Sequence, residues 1–267
     1  MEALTDIGVN LTHRSFGADL AEVLHRARSA GVGPMVVTGL SEDVSLRAAK
    51  LAEAHGLYST AGVHPHNAKS FGGRTVETLR ALSARERVVA IGECGLDFNR
   101  DFSPRDVQRR CFEAQLELAA EVRLPVFLHE RDAFAEFTRI LERHRASLVG
   151  GVVHCFTGNR EAMTTYLELG LHIGITGWIC DERRGAHLLE QVRHIPKERL
   201  LIETDAPFLR PRSIRPRPDG RRNEPAFLPY VLETVARARG EAESVVAAQT
   251  TRNARRLFGI EPRPKER

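Results

Sequence analysis

Val88-Val89-Ala90-Ile91-Gly92-Glu93-Cys94-Gly95-Leu96-Asp97 begins with four apolar residues and then places carboxylates at Glu93 and Asp97. Four apolar residues closed by glycine suit a short buried strand, Val88–Ile91. A helical stretch, Pro104–Val122, follows, with Ser103 as its expected N-cap and proline in the first turn. Strand, polar strand end and helix make one βα unit, and the same order recurs along the chain. Further strands are expected at Leu4–Val9, Pro34–Thr38, Tyr58–Gly62, Pro125–Leu128, Gly151–Val153, His172–Ile175 and Leu200–Ile202. Helices are expected at Asp19–Ala30, Glu42–Ala54, Arg131–His144, Arg160–Leu169 and Arg184–His194, with two or three more from Pro225 to Phe258. Alternation of this kind predicts a parallel sheet. Eight units in 267 residues suit a single α/β domain over 1–267, a (β/α)₈ TIM barrel, which typically takes about 250 residues. An open doubly wound sheet is the alternative, but no GxGxxG follows a strand to support a dinucleotide site.

Hydrophobic residues make up 42% and charged residues 28%, so a globular core can form. No apolar run approaches the roughly 18 residues of a membrane span. The opening Met1-Glu2-Ala3-Leu4-Thr5-Asp6 has neither a basic nor an apolar leader region, which predicts a cytoplasmic protein. Cys94, Cys111, Cys155 and Cys180 are far apart and form no CxxC pair, so free buried thiols are expected. The net charge of +4 is compatible with a polyanionic substrate. Only Lys50, Lys69, Lys197 and Lys265 of the 39 Lys and Arg residues are lysine, a bias that coding preference explains as well as phosphate binding does.

Barrel enzymes carry their chemistry at the C-terminal ends of the strands. Here Asp6 and Asn10 lie on or after the first strand and His64 and His66 after the third. Glu93 follows the fourth, His129 ends the fifth, His154 ends the sixth, and Glu203 and Asp205 end the eighth. In a closed barrel these groups converge on one mouth. Crowded carboxylates resist ionisation there, and a divalent cation removes that cost. A structural polar cluster is the other reading. Histidine with carboxylate suits Zn, Mn or Fe, and carboxylate with water favours Mg. A bound metal activates water and polarises the bond under attack, and two ions could clamp a phosphodiester with Glu93 between them. Asp205 could ligate a metal and take the proton of the attacking water.

Five segments in order, Asp6–Thr12, Ala61–His66, Gly92–Phe98, His154–Gly158 and Glu203–Pro207, resemble the TatD family of metal-dependent DNases over nearly the whole chain. Gly174–Trp178 and Cys180–Gly185 resemble the branch of that family that trims single-stranded DNA and RNA from the 3′ end. The resemblance implies metal ligands at Glu93, His129 and His154, with Asp205 at the metal centre. It implies that His64 contacts phosphate or metal and that Glu203 assists. It also implies Mg²⁺ as the activating ion, with Mn²⁺ or Zn²⁺ as alternatives and one or two ions bound, and a role in DNA repair or nucleic-acid turnover. The family's opening Asp-x-His-x-His is here Asp6-Ile7-Gly8-Val9-Asn10, and Glu130 stands where cysteine is common. Glu130 either binds metal or points outward, and the second is expected.

Lesser signals are ambiguous on the residues alone. His66 is either a ligand or phosphate contact or a cap. Asp97 is expected to orient the loop or hydrogen-bond a ligand histidine. Arg131 pairs with a phosphate or salt-bridges at a helix start. Trp178 stacks a nucleobase or packs in the core. Asp181, Arg183 and Arg184 gate the mouth or cap the next helix. Cys155, beside His154, is expected to point the opposite way from an extended strand and to pack in the core. Arg210, Arg212, Arg215, Arg217, Arg221 and Arg222 lie in the loop after the eighth strand and form a basic rim for a phosphate backbone. The function expected is a metal-dependent phosphodiesterase, a 3′-5′ exonuclease on single-stranded DNA or RNA, acting as a monomer. The alternatives are an acyl-ester or amide hydrolase, such as an aminoacyl-tRNA deacylase, and a nucleic-acid-binding scaffold with a residual metal site.

Overall fold

The computed structural model describes residues 3–260, so Met1-Glu2 of the leader reading and the segment 261–267 lie outside it. Eight parallel strands pair in sequence order: β1 (Leu4–Val9), β2 (Val32–Val37), β3 (Tyr58–Ala61), β4 (Val88–Asp97), β5 (Val126–Arg131), β6 (Gly151–Val153), β7 (His172–Ile175) and β8 (Leu200–Ile202). Backbone bonds close the ring between the first and last strands: Asp205 N donates to Gly8 O at 2.9 Å, and Asn10 N to Ala206 O at 2.7 Å. Apart from the polar C-terminal ends of β4 and β5, the strands are short, largely apolar and almost wholly buried, as a sheet covered on both faces requires.

The strands lead into α1 (Leu20–Ser29), α2 (Glu42–His55), α3 (Gly73–Ser83), α4 (Arg105–Val122), α5 (Phe134–His144), α6 (Arg160–Glu168), α7 (Ala186–Gln191) and α8 (Leu228–Arg239), with α9 (Glu243–Phe258) at the end. Ile7, Val36, Val89, Phe127, Val152 and Leu201, from six different strands, pack with Ala254 and Phe258 of α9. Asn253 of α9 donates to the Lys197 and Leu200 carbonyls at the start of β8, and Thr251 to Ala3 at the start of β1. Thus α9 covers the N-terminal ends of the strands and leaves the C-terminal mouth open. Each of these core side chains larger than alanine contributes roughly 1.5–3 kcal/mol by leaving water.

The structure departs from the expectation in several places. β4 runs on to Asp97 instead of ending at Ile91, because β5 pairs with it as far as Asp97↔Arg131. A register shift between Gly92 and Cys94 brackets Glu93, the kind of irregularity that re-aims a side chain. β5 likewise extends to Arg131, so the following helix starts at Phe134 and not at Arg131. α3 has no counterpart in the expected helices: Gly72-Gly73 reads as a breaker, although Gly72 N donates to Thr75 Oγ1 to open the helix. The N-cap of α4 is Pro104, and Ser103 bonds Lys69 N and His66 O instead. Cys155 is not extended: its φ is 46°, and its Sγ lies 3.8 Å from Thr176 Oγ1.

Candidate metal centre

Three imidazoles face a single oxygen. Glu93 Oε1 lies 3.2 Å from His64 Nε2, 2.9 Å from His129 Nδ1 and 2.8 Å from His154 Nε2. His64, Glu93 and His129 offer ligand atoms all within 4.8 Å of one another, a spacing that could hold a metal ion. Burial opposes ionisation of Glu93, but His154, His64 and the hydrogen bonds from His129 and His154 outweigh it and hold the carboxyl well below its usual range. Burial likewise opposes protonation of His154, and Glu93 and Glu203 reverse it, so the ring is driven well above the usual histidine range.

The nitrogens turned away from Glu93 separate the histidines. His129 Nε2 is 3.6 Å from Asp97 Oδ2, and His154 Nδ1 is 3.5 Å from Glu203 Oε2. Carboxylates behind the far nitrogen are the usual backing of metal-ligating histidines. These contacts are too long for hydrogen bonds. His129 Nε2, His154 Nδ1 and Glu203 Oε2 are buried without a partner among the described residues. His64 differs. Its Nδ1 accepts the backbone N–H of His66 at 3.1 Å, so the neutral ring carries its proton on Nε2, facing Glu93. Burial pushes His64 down to about 4, which keeps that ring neutral near pH 7.

Asp205 stands beside this group without joining the three-residue cluster. Its Oδ1 accepts from Asn10 Nδ2 at 2.9 Å, and Asn10 Oδ1 accepts from Thr38 Oγ1 at 2.6 Å. Burial pushes Asp205 up to about 7, assisted by Glu93 and Glu203 and opposed by His154. Glu203 Oε1 accepts the Cys155 backbone N–H at 2.6 Å. A Cβ at Gly8 would collide with Glu203 Oε2, so the glycine that replaces a family histidine leaves room for this carboxylate. Asp6 accepts from Thr204 N at 2.9 Å and Thr204 Oγ1 at 2.5 Å, bracing β1 against the Asp205 turn. The bracing by Thr38 has no motif of its own, whereas Asn10 and Thr204 lie in the segments Asp6–Thr12 and Glu203–Pro207, which carry no sign of what either side chain holds.

The remaining candidates lie around the rim. His66 Nε2 meets Asp97 Oδ2 at 2.6 Å. Glu130 does not point outward. It accepts from Ala133 N at 2.8 Å, at the start of α5, and from Tyr166 OH at 3.0 Å. Trp178 has Arg184 over its ring at 4.7 Å, so that face is taken by a guanidinium. Arg131, Trp178 and Arg184 line one cavity of about 440 Å³, and Trp178, Arg184, Arg212, Arg217 and Arg221 line another of about 590 Å³. Asp181 pins both Arg184 (3.1 Å) and Arg212 (3.4 Å). Arg222 leaves the rim altogether, its guanidinium held by Asp19, Glu224 and Ser15 O.

Two buried glutamines on α4 fix the strand ends. Gln115 accepts from Val63 N and donates to Val63 O, immediately before His64. Gln108, two turns away, does the same for Asp97.

A parallel eight-stranded barrel whose strand ends bring histidine and carboxylate together at one mouth is suited to metal-assisted hydrolysis. The chain belongs to the family of TatD related DNases, matched over residues 5–259. It is 54% identical over 257 residues to the 3′-5′ ssDNA/RNA exonuclease TatD of Pantoea ananatis, covering 96% of this chain and 99% of that protein. The protein of the same name from Pantoea sp. strain At-9b is 55% identical with the same coverage. The crystal structure of a TatD homologue from Escherichia coli K12 superposes with a TM-score of 0.87 at 30% identity, covering 97% of this chain and 98% of that one.

Proposed function

We propose that the protein is a metal-dependent phosphodiesterase that removes nucleotides from the 3′ end of single-stranded DNA or RNA. High identity to relatives named as such exonucleases, over nearly the full chain, favours this over acyl-ester hydrolysis. The observation that carries the reading is the ring of three imidazole nitrogens around Glu93 Oε1, two of them backed by carboxylates.

Glu93, His129 and His154, with Asp205, are the residues that would hold a divalent cation. The buried carboxylates of Glu93 and Glu203, with Asp205 beside them, suit such a charge. Mg²⁺ is the ion we favour, with Mn²⁺ and Zn²⁺ as arms of the test. A bound cation supplies charge for the phosphoryl oxygens and acidifies a water. His64 keeps a proton on Nε2, which faces Glu93 Oε1 at 3.2 Å and is shared with a phosphate oxygen when substrate binds. Asn10 holds Asp205 Oδ1 and leaves the second oxygen to take the proton of the attacking water. Glu203 keeps the His154 ring oriented. Arg131, Trp178 and His66 border the substrate path. We read 1–267 as one catalytic domain, monomeric and cytoplasmic, serving DNA repair or nucleic-acid turnover. No helix among the described residues is long and apolar enough to cross a membrane.

The test is single-turnover degradation of 3′-labelled and 5′-labelled single strands with Mg²⁺, Mn²⁺, Zn²⁺ or EDTA, using wild type, His129→Ala and Asp205→Asn. Early loss of the 3′ label, a shrinking 5′-labelled ladder and silence in both variants and in EDTA are expected. Folded protein that cleaves no strand with any metal would overturn the reading and point to acyl-ester hydrolysis.

A further inference from the structure

Among the described residues, five large hydrophobic side chains are exposed, and two are aromatic: Phe102 at 55% and Phe208 at 50%. Both lie at the mouth. Phe102 is in the loop after β4 and Phe208 in the loop after β8, and these strands stand four places apart in a ring of eight. The two rings therefore flank the candidate metal centre from opposite sides.

Neither residue is loosely held. Phe102 meets the His66 ring edge-on at 4.7 Å, and His66 is bound to Asp97 and lies 4.2 Å from the His64 ring. Phe208 meets His13 edge-on at 5.6 Å. Its N–H donates to Asp205 O at 3.0 Å, and its carbonyl accepts from Asn223 at 2.6 Å. Among the described residues, no protein ring stacks parallel on either phenyl group and no cation covers one. Trp178, by contrast, is already covered by Arg184. Exposing two phenyl rings beside water is unfavourable unless something covers them. At the mouth of a site for a polyanion, flat unpaired bases are the apolar surface that fits, since every base has a π-face.

We propose that Phe102 and Phe208 are base-stacking platforms for unpaired nucleobases on either side of the scissile phosphate. This rests on the nucleic-acid reading above. Phe208 takes the penultimate base, because the chain beyond it leads into the cavity lined by Arg217 and Arg221, where the continuing backbone finds cations. Phe102 takes the 3′-terminal base, because its neighbour Asp101 is paired with Arg105 and offers no track for further phosphates. The pair selects single strands, since a duplex end keeps its bases stacked on their neighbours.

The test is equilibrium binding, with Mg²⁺, of a single-stranded DNA protected by phosphorothioates at its last two linkages. Wild type, Phe102→Ala, Phe208→Ala and the aromatic replacement Phe102→Trp are compared. At roughly 1–3 kcal/mol per stacked base, each alanine variant weakens binding about 5- to 150-fold, and Phe102→Trp retains it. With an abasic 3′ nucleotide, Phe102→Ala has no further effect, and an abasic penultimate nucleotide silences Phe208→Ala in the same way. Unchanged binding by both alanine variants, or equal losses with and without the base, overturns the platforms alone. A wild type that binds no single strand overturns the nucleic-acid reading and the platforms with it.

Discussion

His64 and His129 both face Glu93, yet they present different chemistry to it. The His66 N–H occupies Nδ1 of His64, so Nε2 of the neutral ring is a donor and has no lone pair for a cation. His129 has Asp97 behind its far nitrogen and can turn a lone pair toward the site. Substitutions should therefore separate the two. His64→Ala should leave Mn²⁺ affinity within about threefold of wild type and slow turnover by about 10²-fold or more, the scale on which one oriented donor at a developing charge acts. His129→Ala should weaken Mn²⁺ binding by at least tenfold. Calorimetric titration with Mn²⁺ and single-turnover rates on the same preparations check both, and equal loss of metal affinity would refute the distinction. Away from the mouth, His172 on β7 is pushed down to about 4 by burial, helped by Arg199, and donates to or accepts from no site residue. Its folded value lies below the ordinary histidine value of 6.5. The neutral ring therefore supports the fold above pH 6.5, and that support is lost as pH falls through 6.5 toward 4. The loss approaches about 3 kcal/mol once the ring is fully protonated. Melting curves between pH 7 and 4 should accordingly be steeper for wild type than for His172→Gln; parallel curves would show that His172 does not titrate against the fold.

At the level of elements, α4 performs a task its sequence hides. Gln108 and Gln115 lie on its buried face and satisfy the backbone at Asp97 and Val63, the residues that carry the rim carboxylate and lead into His64. Replacing either by leucine removes both partners of a buried peptide group, which costs about 1–3 kcal/mol for each group left unsatisfied. Gln108→Leu and Gln115→Leu are each expected to lower the melting temperature by several degrees and to slow strand degradation, whereas Gln249→Leu, on α9 at the closed end, should leave turnover unchanged. Wild-type rates in both α4 variants would show that the strand ends hold without them. Amphipathic spacing made the existence of α4 legible, because Cys111, Phe112, Leu116 and Ala119 recur at helical intervals. It could not show that two polar residues on the same helix face inward, since their partners are backbone groups distant in sequence. The same limit explains α3, whose opening Gly72-Gly73 looks like a turn until Thr75 is seen to cap it, and β4, whose last residues are held in the sheet only by pairing with β5.

Across the whole molecule, the order of eight βα units and the convergence of Glu93, His129, His154 and Asp205 were legible because strand ends in a closed barrel meet by topology alone. Which arginines of the β8 loop face solvent was not legible, since that depends on acidic partners just before α1, in the β7 loop and in the β8 loop itself. Arg222 is tied to Asp19 and Glu224 and lies over Phe16 at 5.2 Å, and Arg212 leans on Asp181. Arg217 and Arg221 line the cavity of about 590 Å³ with no side-chain partner among the described residues. These two are the cations available to a phosphate backbone. Each phosphate neutralised on a single strand contributes about −0.7 to the slope of log affinity against log salt. The double variant Arg217→Ala with Arg221→Ala should therefore flatten that slope by about 1.4, with melting temperature unchanged because the removed charges hold nothing. Arg222→Ala should do the reverse, leaving the slope intact and lowering stability through the loss of its contacts with Asp19, Glu224 and Phe16. Binding isotherms of a single-stranded oligonucleotide from 50 to 300 mM salt, read beside melting curves, measure both. If Arg222→Ala flattens the slope as much as the double variant, the strand runs past α1 instead, and the cavity between Trp178 and Arg221 is not its path.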